Sequence, residues 1–179
     1  GIDFGVRDAG TPARGSYVYR RVPVGALKEA DNVAFHPDGT YALVLERTEA
    51  AHVYDWAGDT AMRFDLRVAG AALYLEDVAW DPSGAFAILV GYEHVGTTDT
   101  GVIIVFDDAT WRAGGGATAF TRATTTRTGE RFTGIEYPPP GEGPGGGDRP
   151  VVLSASGTTS YIARLRDLDP TTRAFGSFV

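Results

Sequence analysis

Val33-Ala34-Phe35-His36-Pro37-Asp38-Gly39 and Val78-Ala79-Trp80-Asp81-Pro82-Ser83-Gly84 are two copies of one phrase, set 45 residues apart. A third and looser copy, Ile135-Glu136-Tyr137-Pro138-Pro139-Pro140-Gly141, follows the second by 57 residues. Each copy reads as a short apolar strand closing on an aromatic, followed by a tight turn. In that turn proline presets φ, and glycine supplies the positive φ that other residues avoid. A repeat of this period governs how the rest of the chain is read.

A second strand follows each turn at once: Tyr41-Ala42-Leu43-Val44-Leu45, Phe86-Ala87-Ile88-Leu89-Val90 and Val151-Val152-Leu153. These are apolar at nearly every position, as expected of strands covered on both faces. After a polar loop comes a third strand, in His52-Val53-Tyr54-Asp55-Trp56, Val102-Ile103-Ile104-Val105-Phe106-Asp107 and Tyr161-Ile162-Ala163-Arg164-Leu165. The fourth is clearest in Met62-Arg63-Phe64-Asp65-Leu66-Arg67-Val68, where apolar and charged residues alternate. Met62, Leu66, Ala69 and Leu73 also fit a helical stripe, but the period of two and Gly70 favour an outer strand. Upstream by the same spacing, Tyr17–Val22 takes the place of a fourth strand and Ile2–Val6 that of a third.

Four-stranded units of this length carrying this turn are the blades of a β-propeller. AFHPDGTYALVL followed by HVYDW resembles WD40-type and YVTN-type bacterial propellers. VIIVFDDATW and ARLRDLDPTTR look similar to the third strand and turn of YVTN and lactonase-like propellers. No Gly-His precedes the first strand and the Trp-Asp order is reversed in Asp55-Trp56, a departure from the strict WD40 pattern. The resemblance implies an all-β chain forming a single propeller segment over 1–179. Its blades fall at 1–24 (partial), 30–70, 74–128 and 131–179, about three to three and a half in all.

Closed propellers hold four to eight blades, each burying an apolar face against its neighbours, so this segment needs more sheet to close. The expected partner is another copy of the chain or further blades, and two copies would supply about seven.

The formal charge is −7, with 23 acidic against 16 basic residues and no basic cluster, which argues against nucleic acid. No apolar run is long enough to span a bilayer as a helix, so no membrane is expected. Cysteine is absent, which removes disulfides and thiolate metal sites. A single lysine, a single asparagine and no glutamine, amid abundant Ala, Gly and Arg, suggest a GC-rich bacterial genome. The first residue is Gly rather than Met, which fits a processed, soluble and exported chain as well as a trimmed one.

In a propeller the loop entering the first strand and the loop between the second and third open on one end of the channel. That places Asp31, Asn32, Glu46, Arg47, Glu76, Asp77, Tyr92, Glu93, His94 and Ser156 at a common rim. Converging oxygens there suit a hard cation such as Ca²⁺, and the resemblance to lactonase-like propellers implies a metal at this end. The bland alternative is that Asp31 and Asp77 bond neighbouring turns while the others are solvated. His36, His52 and His94 are expected to stay apart, which disfavours a three-histidine zinc site.

Two pattern matches fail on context. Gly141-Glu142-Gly143-Pro144-Gly145-Gly146 has the glycine spacing of a dinucleotide loop but lies between prolines. Asp99-Thr100-Gly101 matches an aspartic-protease triplet without its apolar lead-in or a second copy. Ser154-Ala155-Ser156-Gly157 lacks a nucleophile elbow. The function expected is therefore a non-enzymatic scaffold binding a protein or small polar ligand. The alternative is a metal-dependent lactonase-like hydrolase using Glu76, Asp31 and Asn32.

Overall fold

The computed structural model describes residues 2–7, 17–22, 30–55, 58, 60–123, 127–138, 150–157 and 159–164. The chain is all-β, and its strands run as antiparallel meanders in sequence order. β1 (Ile2–Arg7) pairs with β2 (Tyr17–Val22) as a two-stranded sheet. The first four-stranded sheet holds β3 (Ala30–Phe35), β4 (Tyr41–Glu46), β5 (Ala50–Asp55) and β6 (Thr60–Asp65). The middle sheet holds β7 (Ala72–Trp80), β8 (Phe86–Val95), β9 (Thr98–Asp107) and β10 (Phe120–Arg122), with β11 (Arg127–Thr128) also pairing with β9. The third holds β12 (Arg131–Glu136), β13 (Val151–Ser156) and β14 (Thr159–Arg164). None of the sheets closes on itself.

The repeated turns are built alike. Gly39 N–H donates to His36 O at 2.8 Å and Gly84 N–H to Asp81 O at 2.8 Å, with φ of 74° and 77°. Each turn is flanked by one further bond, His36 N–H to Tyr41 O at 3.0 Å and Asp81 N–H to Phe86 O at 2.9 Å. An aspartate fastens each loop: Asp38 accepts from Thr40 N–H and Asp81 from Ser83 N–H. The stretch 61–75 is strand, turn and strand, so period two decides over the helical stripe.

Two apolar layers hold the three larger sheets face to face. Leu43, Leu45, Ala51 and Val53 of the first sheet pack with Val78, Trp80, Leu89, Ile104 and Phe106 of the middle one. From the other face of the middle sheet, Ile88, Val90, Ile103 and Val105 meet Phe132, Ile135 and Val152 of the third. A fully buried aliphatic or aromatic side chain contributes roughly 1.5–3 kcal/mol, so these layers dominate the fold. β4 is buried at every residue, as its unbroken apolar run requires.

Three expectations need correction. The stretch between Val90 and Val102 is not a polar loop. β8 and β9 continue through it to a turn at Gly96, paired as far as Val95↔Thr98 and tied across the strands by His94 and Asp99 at 2.7 Å. Asp108–Arg112 is a short helix, α1, rather than a turn, since the Asp107 carboxylate caps its Thr110 N–H at 2.8 Å. Its Trp111 is half-exposed. β6 stops at Asp65, where Arg67 folds back to bond that carboxylate, and does not run on to Val68. Three strands of the third sheet lie among the described residues, and the stretch where its fourth is expected lies outside them. Trp56, the glycine-rich stretch 139–149 and the chain beyond 164 lie outside the described residues.

Candidate functional site

The first strand of each larger sheet carries one extra residue at the same repeat position. Pairing jumps from Ala30↔Glu46 to Asn32↔Leu45, from Leu75↔Gly91 to Asp77↔Val90, and from Phe132↔Ser154 to Gly134↔Leu153. Asp31, Glu76 and Thr133 are thus the bulged residues, spaced by the same 45 and 57 residues as the sequence phrase. A bulge bends its strand and re-aims side chains, so it gives this end of the three sheets a shared geometry.

The residue after each bulge meets the N–H that the irregularity frees. Asn32 Oδ1 accepts from Val33 N–H at 2.7 Å, and Asp77 Oδ1 from Val78 N–H at 2.8 Å. Gly134 has no side chain to offer. The Ile135 N–H donates instead to Asp77 Oδ2 of the preceding sheet, at 2.9 Å. The Asn32 side-chain amide also donates to Asp77 Oδ1. One carboxylate therefore joins the first strands of all three sheets.

Several other charged groups at this end are paired. Arg131 donates to Asp99 Oδ2 at 2.7 Å, and its guanidinium lies 4.8 Å over the Tyr92 ring. His94 Nδ1 is 2.7 Å from the other oxygen of Asp99. His94 first and Arg131 second hold that carboxyl below its ordinary range. Arg122 reaches Glu93 at 2.9 Å, and Ser154 Oγ donates to Glu130 at 2.8 Å. Glu46 is buried and ion-paired to Arg63 at 2.9 Å, with His52 Nε2 at 3.7 Å from its second oxygen. Burial holds the His52 imidazole below its ordinary value.

Glu76 stands apart from these pairs. It is half-buried, and among the described residues no donor reaches its carboxylate. Burial pushes its carboxyl up, Arg47 and Arg131 oppose that shift, and Asp31 reinforces it. Tyr92 is pushed up as well, first by burial.

Of the expected rim residues, the structure brings together Asn32 with Asp77 and Asp31 with Glu76. Glu46, Glu93 and His94 are each taken up by separate partners. Among the described residues no group of three His, Asp or Glu side chains gathers to hold a metal ion. Asn32 and Asp77, with their oxygens occupied by backbone and amide donors, are committed to linking sheets. His36 joins neither His52 nor His94. It stacks on Tyr41 at 4.9 Å and meets the edge of Trp80 at 4.6 Å.

Sequence reasoning missed Arg131 and undervalued Asp99. Arg131 occupies the repeat position of Tyr74, two residues before the bulge, and that correspondence could have flagged it. Asp99 was visible only as a discarded triplet, since the strand extension that places it was read as loop.

No family model matches this chain, and no curated protein is significantly similar to it. Among the described residues no helix is long and apolar enough to cross a membrane.

Proposed function

We propose that the three larger sheets are consecutive blades of a β-propeller, and that the chain is a non-enzymatic scaffold binding a protein or small polar ligand at its bulged end. The equivalent bulges and the face-to-face layers support the blade reading. Connecting segments on a rigid sheet scaffold are where such proteins carry recognition.

One observation carries the binding reading. Glu76 presents a half-buried carboxylate with no donor from the described residues, in the field of Arg47 and Arg131, while Asp99 and Glu93 are each paired with an arginine. An acceptor withdrawn from water without a partner is costly, and a ligand hydroxyl or ammonium would offset that cost. The arrangement favours a ligand that offers donors to Glu76.

The test is thermal melting against polyols, sugars and polyamines, followed by amide chemical-shift mapping of any compound that raises Tm. The expected result is a shift confined to β7, β8 and β12 and lost in Glu76→Gln. A panel without effect on either measurement sinks the reading. Calcium titration separates the alternative, because a metal-dependent hydrolase would gain stability with Ca²⁺ by mass action.

A further inference from the structure

We propose that Arg47 and Glu76 together bind a free amino acid, its carboxylate on the guanidinium and its ammonium on the side-chain carboxylate. The proposal rests on Glu76 being a ligand-binding acceptor, and it adds the second charge that the ligand carries. Charge pairing supplies the argument. Arg63, Arg67, Arg112, Arg122 and Arg131 each hold a carboxylate oxygen at 2.9 Å or closer. Among the described residues no carboxylate pairs with Arg47, which is exposed. Glu76 is its counterpart on the acidic side, half-buried and without a donor from the described residues.

The backbone makes these two charges neighbours. Leu75 N–H donates to Arg47 O at 3.1 Å, Thr48 bridges to Tyr74, and Glu49 N–H donates to Leu73 O at 3.1 Å. Residues 47–49 of the first sheet are thereby laid along β7 of the middle one, beside the bulged Glu76. Glu49 holds a φ of 83°, uncommon for a residue with a side chain, and its carbonyl accepts from Leu66 N–H at 2.8 Å. That anchoring fixes where the Arg47 side chain begins. Arg47 acts on the Glu76 carboxylate through space, and no ion pair joins them. Asp31 adds to the negative side, while Arg131 is held by Asp99 at 2.7 Å.

Opposite charges set close together but unjoined are matched by a ligand that carries both signs. A guanidinium takes a carboxylate through two parallel N–H donors. A carboxylate partly withdrawn from water gains most from a charged donor. A polyol would leave Arg47 unanswered, and a polyamine would be repelled by it. The ammonium and carboxylate of a free amino acid answer both groups at once.

Thermal melting and amide chemical-shift mapping of the full chain against the common amino acids test the proposal, followed by the methyl ester and the N-acetyl derivative of the tightest binder. The ester loses the carboxylate and the N-acetyl compound the ammonium, so each is expected to bind about tenfold more weakly. Shifts are expected at residues 47–49 and at Glu76. Glu76→Gln and Arg47→Met should each weaken the amino acid by about tenfold, and Arg47→Met should bind acid and ester alike. An ester as tight as the amino acid overturns the proposal, as does binding that Arg47→Met leaves unchanged. So does a fall in the Tm of ligand-free Arg47→Met, which would show Arg47 closed onto Glu76. Polyols or polyamines that engage Glu76 while no amino acid binds remove only the amino-acid assignment. A chain that responds to none of these compounds loses Glu76 as a binding acceptor as well.

Discussion

The carbonyl of Gly84 lies 3.0 Å from Nε2 of His36, so the turn of the second repeat rests on the turn of the first. A Cβ added to Gly84 would sit 2.8 Å from that nitrogen, whereas one added to Gly39 meets nothing within 4 Å. Both glycines hold positive φ. Gly39→Ala is expected to cost about 1–2 kcal/mol from backbone strain alone. Gly84→Ala should cost roughly 3 kcal/mol, with crowding added. Urea unfolding of the pair checks this, and equal losses would show that the turns do not bear on each other.

Asp77 gives the second prediction. Asp77→Ala strips an acceptor from Val78 and Ile135 and a partner from Asn32, and is expected to cost roughly 2–3 kcal/mol. At this chain length that lowers Tm by about 5–10 °C. Hydrogen exchange should show the Ile135 amide opening most, because Asp77 is its acceptor across the sheets. A loss confined to β7 would contradict the three-sheet link.

His52 sets an acid-side sensitivity. Burial lowers its pKa in the folded state, so below the ordinary value of 6.5 the unfolded chain takes up a proton that the folded one resists. Stability is therefore complete above that value and falls as pH drops, with a slope of at most about 1.4 kcal/mol per pH unit. His52→Ile copies the Ile104 found at the equivalent position and leaves Glu46 paired with Arg63. It should flatten the slope between about pH 5 and 6.5, which chemical denaturation at stepped pH would reveal.

Glu76 acts with the opposite sign. Its raised carboxyl contributes stability below the ordinary value of 4.5, and that contribution is lost as pH rises through the folded-state value. Glu76→Gln is expected to gain a few tenths of a kcal/mol at neutral pH, since water screens a half-exposed site. A clear loss on substitution would mean that Arg47 and Arg131 outweigh burial.

The all-β class, the repeat and the layered packing were legible because turn chemistry and apolar runs are local. Pro37-Asp38-Gly39 and Leu43-Val44-Leu45 announce themselves without reference to anything distant. The bulges were not legible, because an extra residue shows only when two strands are laid side by side. Without them Asn32 and Asp77 looked like rim ligands, when both face donors within the protein. Tyr92 and His94 looked like loop for a related reason. Their strand pairing rests on contacts across strands, Tyr92 with Tyr74 and His94 with Asp99, that no periodicity in 91–101 foretells. Glu46 shows the same limit, since its burial follows from Arg63 lying across two strands.

The missing side chain at Gly134 makes the dependence among units run one way. The first and second units each carry their own acceptor for the amide beyond the bulge, but the third borrows one made earlier in the chain. During synthesis the lender emerges from the ribosome before the borrower. Severed from what precedes it, a piece starting near Arg131 would surrender that N–H to water, while no amide of the upstream piece would lose its acceptor.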